Sequence, residues 1–90
     1  GIVCYNDTIA FRLIEFLRAR GKQVPEDLSV IGFDNSGLAQ YGAVRITTMN
    51  HPKEEMGVQA ARMILHMAET GVREKSLVMK MEPFSGNSVR

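Results

Sequence analysis

Two pairs of adjacent polar residues carry the side chains best suited to chemistry in this sequence, Asn6-Asp7 and Asp34-Asn35. Each pair follows directly on a short apolar run: Ile2-Val3-Cys4-Tyr5 before the first, Leu28-Ser29-Val30-Ile31-Gly32-Phe33 before the second. An ionised Asp accepts hydrogen bonds from two hydroxyls, and an Asn side chain both donates and accepts. Together such groups suit a polyhydroxy ligand such as a sugar. The competing reading is that Asp7 and Asp34 cap the elements that follow them. The pattern favours capping for Asp7 and leaves both roles open for Asp34.

Other chemistry is poorly served. Cys4 lies within an apolar run, where a thiol is ordinarily structural. His51 and His66 stand far from it along the chain, the first at a helix start and the second on that helix's outer side. His51 reads as a turn or cap residue and His66 as a solvated one. No H-x-x-x-H or C-x-x-C spacing points to a metal. The turn Tyr5-Asn6-Asp7-Thr8 has neither G-x-G-x-x-G nor a P-loop, so it offers no glycine cradle for the phosphates of a nucleotide cofactor. Neither an enzyme nor a bound cofactor is expected.

The elements that must position the polar pairs are legible in the periodicity. The first apolar run reads as a buried strand, with Asp7 as the N-cap of a helix from Thr8 to Arg20. Ile9, Leu13, Phe16 and Leu17 form its expected buried stripe, widened by Ala10 and Ile14. Gly21 is placed for a left-handed helix end. The second apolar run then completes a βαβ unit, which implies parallel strands and a right-handed crossover. A short helix fits Leu38 to Tyr41, and β-branched residues make Arg45 to Met49 a third strand. Asn50-His51-Pro52 opens a second long helix, with Pro52 at its first position and Gly71 at its end. Met56, Ala60, Met63, Ile64 and Met67 form its expected buried stripe, the methionines filling core. Leu77 to Met81 is a last candidate strand and Pro83 to Arg90 a polar tail. The fold class is α/β, in the order β-α-β-short α-β-α-β, with ligands collecting beyond the carboxyl ends of the parallel strands.

Composition narrows the function classes. Of the 90 residues, 44% are apolar and 23% charged, which excludes intrinsic disorder. A net charge of +1 supplies no basic field for nucleic acid. The single cysteine excludes a disulfide framework and fits an intracellular setting. No apolar run approaches the roughly 18 residues of a membrane span, and no signal peptide opens the chain. Two long helices are too few to cover both faces of a parallel sheet. The chain is therefore expected to be a piece of a longer protein.

One surface pattern suggests a partner. Phe11 lies off the Ile9-Leu13-Phe16 stripe, on a face shared with Glu15 and Arg18, and Leu38 and Tyr41 could join it in one patch.

Several strings resemble a known family. Cys4-Tyr5-Asn6-Asp7 with Ala10, and Gly21-x-x-Val24-Pro25-x-Asp27-x-Ser29-Val30-x-Gly32-Phe33-Asp34, resemble the lactose/galactose repressor family of bacterial transcription regulators. Thr47-Thr48, Glu55-Met56-Gly57 and Ala60-Ala61 continue the likeness in the same order. Cys4-Tyr5-Asn6-Asp7 and His51-Pro52-Lys53 look particularly like the arabinose repressor branch. The resemblance implies part of a periplasmic-binding-protein-like (type I) fold, two α/β lobes joined by a hinge with a sugar between them. Residues 1–49 would belong to the C-terminal lobe and reach the hinge. Residues 50–76 would be the crossover helix of the N-terminal lobe, and 77–90 a return strand and tail. The implied ligand positions are Asn6 and Asp34, with Asp7 fixing the helix start beside them. The implied dimer surface falls on Phe11, Glu15, Leu38 and Tyr41. The expected protein is a cytoplasmic, homodimeric repressor with a sugar effector, for which the branch suggests L-arabinose. DNA would be met only through a separate N-terminal domain, and no membrane is involved. The tail departs from the family pattern, keeping a Ser but lacking the expected Arg. A solute-binding protein of a sugar transporter and a fragment of a Rossmann-like enzyme are the alternative readings.

Overall fold

Two apolar strands, too short to hold alone, are brought together by the helix between them. The computed structural model describes residues 1–90. In it β1 (Ile2–Val3) pairs in parallel with β2 (Val30–Ile31), Ile2 opposite Val30 and Val3 opposite Ile31. α1 (Asp7–Ala19) makes the crossover, as the βαβ reading expects. β3 (Thr48–Asn50) follows a 3₁₀ turn at Gly37–Ala39, and a parallel bridge from Thr47 to Ile31 places its start beside β2. α2 (Lys53–Thr70) comes next, and β4 (Glu82–Phe84) pairs antiparallel with β3. Gly21 and Gly71 follow the two helices at φ 74° and 70°, the left-handed ends their positions suggest. The chain divides into two compact units, Gly1–Asn50 with Glu82–Arg90, and His51–Met81.

The core of the first unit is Cys4, Ala10, Ile14, Val24, Val30, Ala39 and Ile46, with Phe11, Leu13, Leu17 and Val44 packed against it. This corrects the expected stripe of α1. Ala10, Leu13, Ile14 and Leu17 face inward as expected, joined by Asp7 and Phe11, while Ile9 and Phe16 are 48% and 51% exposed. Apolar residues occur on most sides of this helix, so the stripe is set by where the sheet lies rather than by the pattern. The Phe16 ring is instead covered by the Arg20 guanidinium, 3.5 Å from its centroid.

Three further expectations are corrected. The N-cap of α1 is Asn6, not Asp7. The last strand lies at Glu82–Phe84 rather than Leu77–Met81, because the outer edge of β3 is where a partner strand finds unpaired backbone. No residue of α2 is buried, so Met56, Ala60, Met63, Ile64 and Met67 do not form a core stripe. Their unit holds no other helix or strand to cover them.

The tail, expected to be merely polar, is stitched into the first unit. Ser88 is fully buried; its hydroxyl donates to the Val30 carbonyl and accepts from Thr47 N at 2.8 Å. Val30 N donates to Ser88 O at 2.8 Å, and the Asn87 side chain accepts from Arg45 N at 2.7 Å. Residues 87 and 88 thus clamp the start of β2 to the approach to β3.

Candidate ligand rim

Parallel pairing brings the ends of β1 and β2 side by side, and the hydrogen bonds continue past the strands. Cys4 N donates to Ile31 O at 2.8 Å and Asp7 N to Phe33 O at 3.0 Å. The second bond joins the Asn6–Asp7 peptide to the Phe33–Asp34 peptide. Asn6 and the Asp34-Asn35 pair therefore stand on one rim at the carboxyl ends of the strands, where open α/β sheets hold ligands.

Each side chain has a distinct place there. Asn6 sits in extended backbone, φ −152° and ψ 174°, and its Oδ1 accepts from Ile9 N at 2.9 Å. The cap uses the oxygen and leaves the amide NH₂ as the group suited to a ligand. Asp7 is 1% exposed. Its Oδ1 accepts from Thr48 Oγ1 and its Oδ2 from Ser36 N, both at 2.7 Å. Asp7 is thus committed to protein donors, one residue inside the rim rather than on it.

Asp34 and Asn35 adopt φ 100° and 46°, the left-handed region that side chains other than glycine enter rarely. Backbone bonds hold them there: Asp34 N donates to Met49 O at 3.1 Å and Asn35 N to Thr48 Oγ1 at 3.2 Å. The Asn35 Oδ1 accepts from Gln40 Nε2 at 3.3 Å. Asp34, Cys4, Tyr5 and Phe33 together line a cavity of about 360 Å³. Cys4 is buried there, and burial pushes its thiol pKa up, which makes it a poor nucleophile. A second hollow of about 360 Å³, at the far end of α1, is lined by Arg18, Lys22, Gln23, Val24 and Glu26 among others. It has none of the polar pairs, and no buried side chain without a partner points into it.

Sequence reasoning missed Tyr5 and Phe33 as lining residues. The signal was present: each is the last residue of its apolar run, one position before a polar pair, and each carries an aromatic face. It also missed Thr48 and Ser36, whose link to Asp7 spans 41 and 29 positions and leaves no local mark.

The expected surface patch divides. Phe11 is half-buried against the core, and a Cβ at Gly42 would meet its ring at 3.2 Å. It supports the 37–44 segment from beneath, a correction to its placement on a charged outer face. Leu38 and Tyr41 are 37% and 71% exposed. Glu15 is exposed and pairs with Arg18 at 3.0 Å. In the second unit, His66 is partly exposed and its Nδ1 lies 2.8 Å from Glu74 Oε1.

Comparison with known proteins places the chain in a family. The periplasmic binding protein-like domain matches residues 1–89. The arabinose metabolism transcriptional repressor of Geobacillus stearothermophilus is 51% identical over 67 residues, 74% of this chain and 18% of that protein. The repressor of the same name from Halalkalibacterium halodurans is 45% identical over 76 residues, 84% of this chain and 20% of that protein. A solved LacI family transcriptional regulator from Enterococcus faecalis V583, with bound ribose, superposes with a TM-score of 0.91 at 30% identity. It covers 99% of this chain and 34% of its own. The chain thus spans about a fifth of the length of these curated relatives. A chain with a parallel strand-helix-strand unit, matched along nearly its whole length, belongs to the periplasmic-binding-protein-like family, among the lactose/galactose repressor effector-binding domains and near the arabinose repressor branch.

Proposed function

We propose that this chain is the C-terminal segment of the sugar-effector-binding and dimerisation domain of a bacterial transcriptional repressor. The observation that carries the reading is the Asp7 N to Phe33 O bond, which puts Asn6 and Asp34 on a common rim. The Asp34 carboxylate accepts hydrogen bonds from sugar hydroxyls, the Asn6 amide donates to ring or hydroxyl oxygens, and Tyr5 and Phe33 offer apolar faces to the sugar's C–H groups. The relative with bound ribose supports a sugar effector. The arabinose repressors of two species support L-arabinose as the sugar to test first. The first unit belongs to one lobe of the sensor and α2 to the other.

Sugar acts by binding one arrangement of the lobes more tightly and drawing the population toward it. In a homodimer this alters the spacing of DNA-reading domains that lie elsewhere in the protein. Such coupling is typically worth about 1–3 kcal/mol. Leu38, Tyr41 and Glu15 are the exposed members of the dimer surface, with the Phe11 ring packed near Gly42 on the segment that carries Leu38 and Tyr41. A regulator of this kind works in the cytoplasm, and no helix of the structure is long and apolar enough to cross a membrane. The matched relatives are transcription regulators, so the transporter and enzyme readings are not favoured.

The test is operator binding by the full-length protein with and without L-arabinose. A change of about tenfold in DNA affinity is expected. Identical binding curves across a panel of pentoses and hexoses would remove the sugar-sensor reading.

A further inference from the structure

Asp7 is the one charged side chain buried in the core of the first unit, and both its oxygens are taken by donors from distant segments. Ser36 N donates to Oδ2, and the Thr48 hydroxyl donates to Oδ1. The same hydroxyl accepts from Asn35 N at 3.2 Å. Three consecutive backbone N–H groups, at Asp34, Asn35 and Ser36, are therefore fixed by Met49 O, Thr48 Oγ1 and Asp7 Oδ2 in turn. Those bonds cover the two residues in left-handed conformation, a backbone state that persists only where its surroundings over-determine it. The sequence also clears space for the carboxylate: a Cβ at Gly32 would collide with Asp7 Oδ1 and come within 3.0 Å of Ile46 Cγ2.

We infer that Asp7, with Thr48 as its relay, is a positioning residue for the ligand rim. It sets the left-handed turn at Asp34–Asn35 and ties that turn to β3, so ligand affinity depends on a carboxylate that does not touch the ligand. The inference rests on Asn6 and Asp34 being the sugar-facing groups. It adds that β3 and the rim move as one piece, because Met49 and Thr48 both hold the turn.

Three variants of the full-length protein test it. Thr48→Val keeps the side chain's shape and removes the hydroxyl, Thr48→Ser keeps the hydroxyl, and Asp7→Asn sets a donor against a donor. Amide hydrogen exchange is read on the peptide containing Asn35 and Ser36, and L-arabinose affinity by calorimetry. Thr48→Val and Asp7→Asn are expected to speed exchange at Asn35 and Ser36, and to weaken sugar binding, each by about tenfold. Exchange in the middle of α1 stays unchanged, and Thr48→Ser restores both readouts. A uniform rise in exchange across the first unit, no change at Asn35 and Ser36, or no rescue by serine overturns the inference. Should Asp7→Asn fail to fold, the Thr48 pair decides alone. If the unaltered protein ignores L-arabinose, the sugar assignment is at fault, while the exchange pattern still decides the positioning role.

Discussion

At the residue scale, the Asn-Asp dipeptide at positions 6 and 7 shows how two similar side chains are given different work by one step along the chain. Asn6, in extended backbone, accepts from Ile9 N and starts the helix. Asp7, one residue on, points into the core and gathers donors from Ser36 and Thr48. Either residue type can cap, so the pattern alone could not tell which does. The separation is testable in Asn6. Asn6→Ala loses the cap and should cost about 1 kcal/mol of stability, read as a lower thermal midpoint. Asn6→Asp keeps a capping oxygen and should hold the midpoint, yet weaken sugar binding because the amide donor is gone. Equal affinity in Asn6→Asp and the unaltered protein would move the ligand contact elsewhere.

At the element scale, the paired strands of the βαβ unit, both long helices and their left-handed ends were legible because they depend on local chemistry: apolar runs, helical spacing, and glycine at residues 21 and 71, whereas the last strand was not. How far the inward face of α1 extends was not legible either. Ile9 and Phe16 fit the expected stripe as well as Ala10 and Ile14 do, and only the position of β2 and the 3₁₀ turn chose between them. The tail was misread for the opposite reason. Ser88 and Asn87 look like solvated residues, but their partners lie 58 and 42 positions away. The strand ends were different again: parallel pairing follows from the βαβ order, so the juxtaposition of Asn6 and Asp34 was readable although they stand far apart in sequence. Ser88 gives the element-scale prediction. Ser88→Ala removes a buried hydroxyl that bridges Val30 O and Thr47 N, leaving both without it, and should destabilise the first unit by about 1–3 kcal/mol in denaturant titrations. A loss below a few tenths would mean that the tail clamp contributes little.

At the scale of the whole molecule, the chain presents a rim at the carboxyl ends of β1 and β2 and an exposed pair, Leu38 and Tyr41, on the segment that follows the rim turn. The turn at Asp34–Ser36 connects them directly along the chain, so the proposed ligand contact and the proposed subunit contact sit within a few residues of each other. That adjacency suits a sensor in which sugar biases the arrangement of a dimer. Replacing Leu38 and Tyr41 together with Glu places charge in the proposed dimer surface and should shift the full-length protein toward monomer in sedimentation velocity, by at least about tenfold in dissociation constant. An unchanged dimer would take that segment out of the interface without touching the rim.

If the carboxylate of Asp34 grips a sugar on the rim it shares with Asn6, removing it abolishes binding. Calorimetric titration of L-arabinose into the full-length protein and its Asp34→Ala variant tests it most directly, with circular dichroism confirming that both are folded. Saturable binding by the unaltered protein and no measurable heat of binding in the folded variant are expected. A folded Asp34→Ala protein that binds the sugar with undiminished affinity would contradict it.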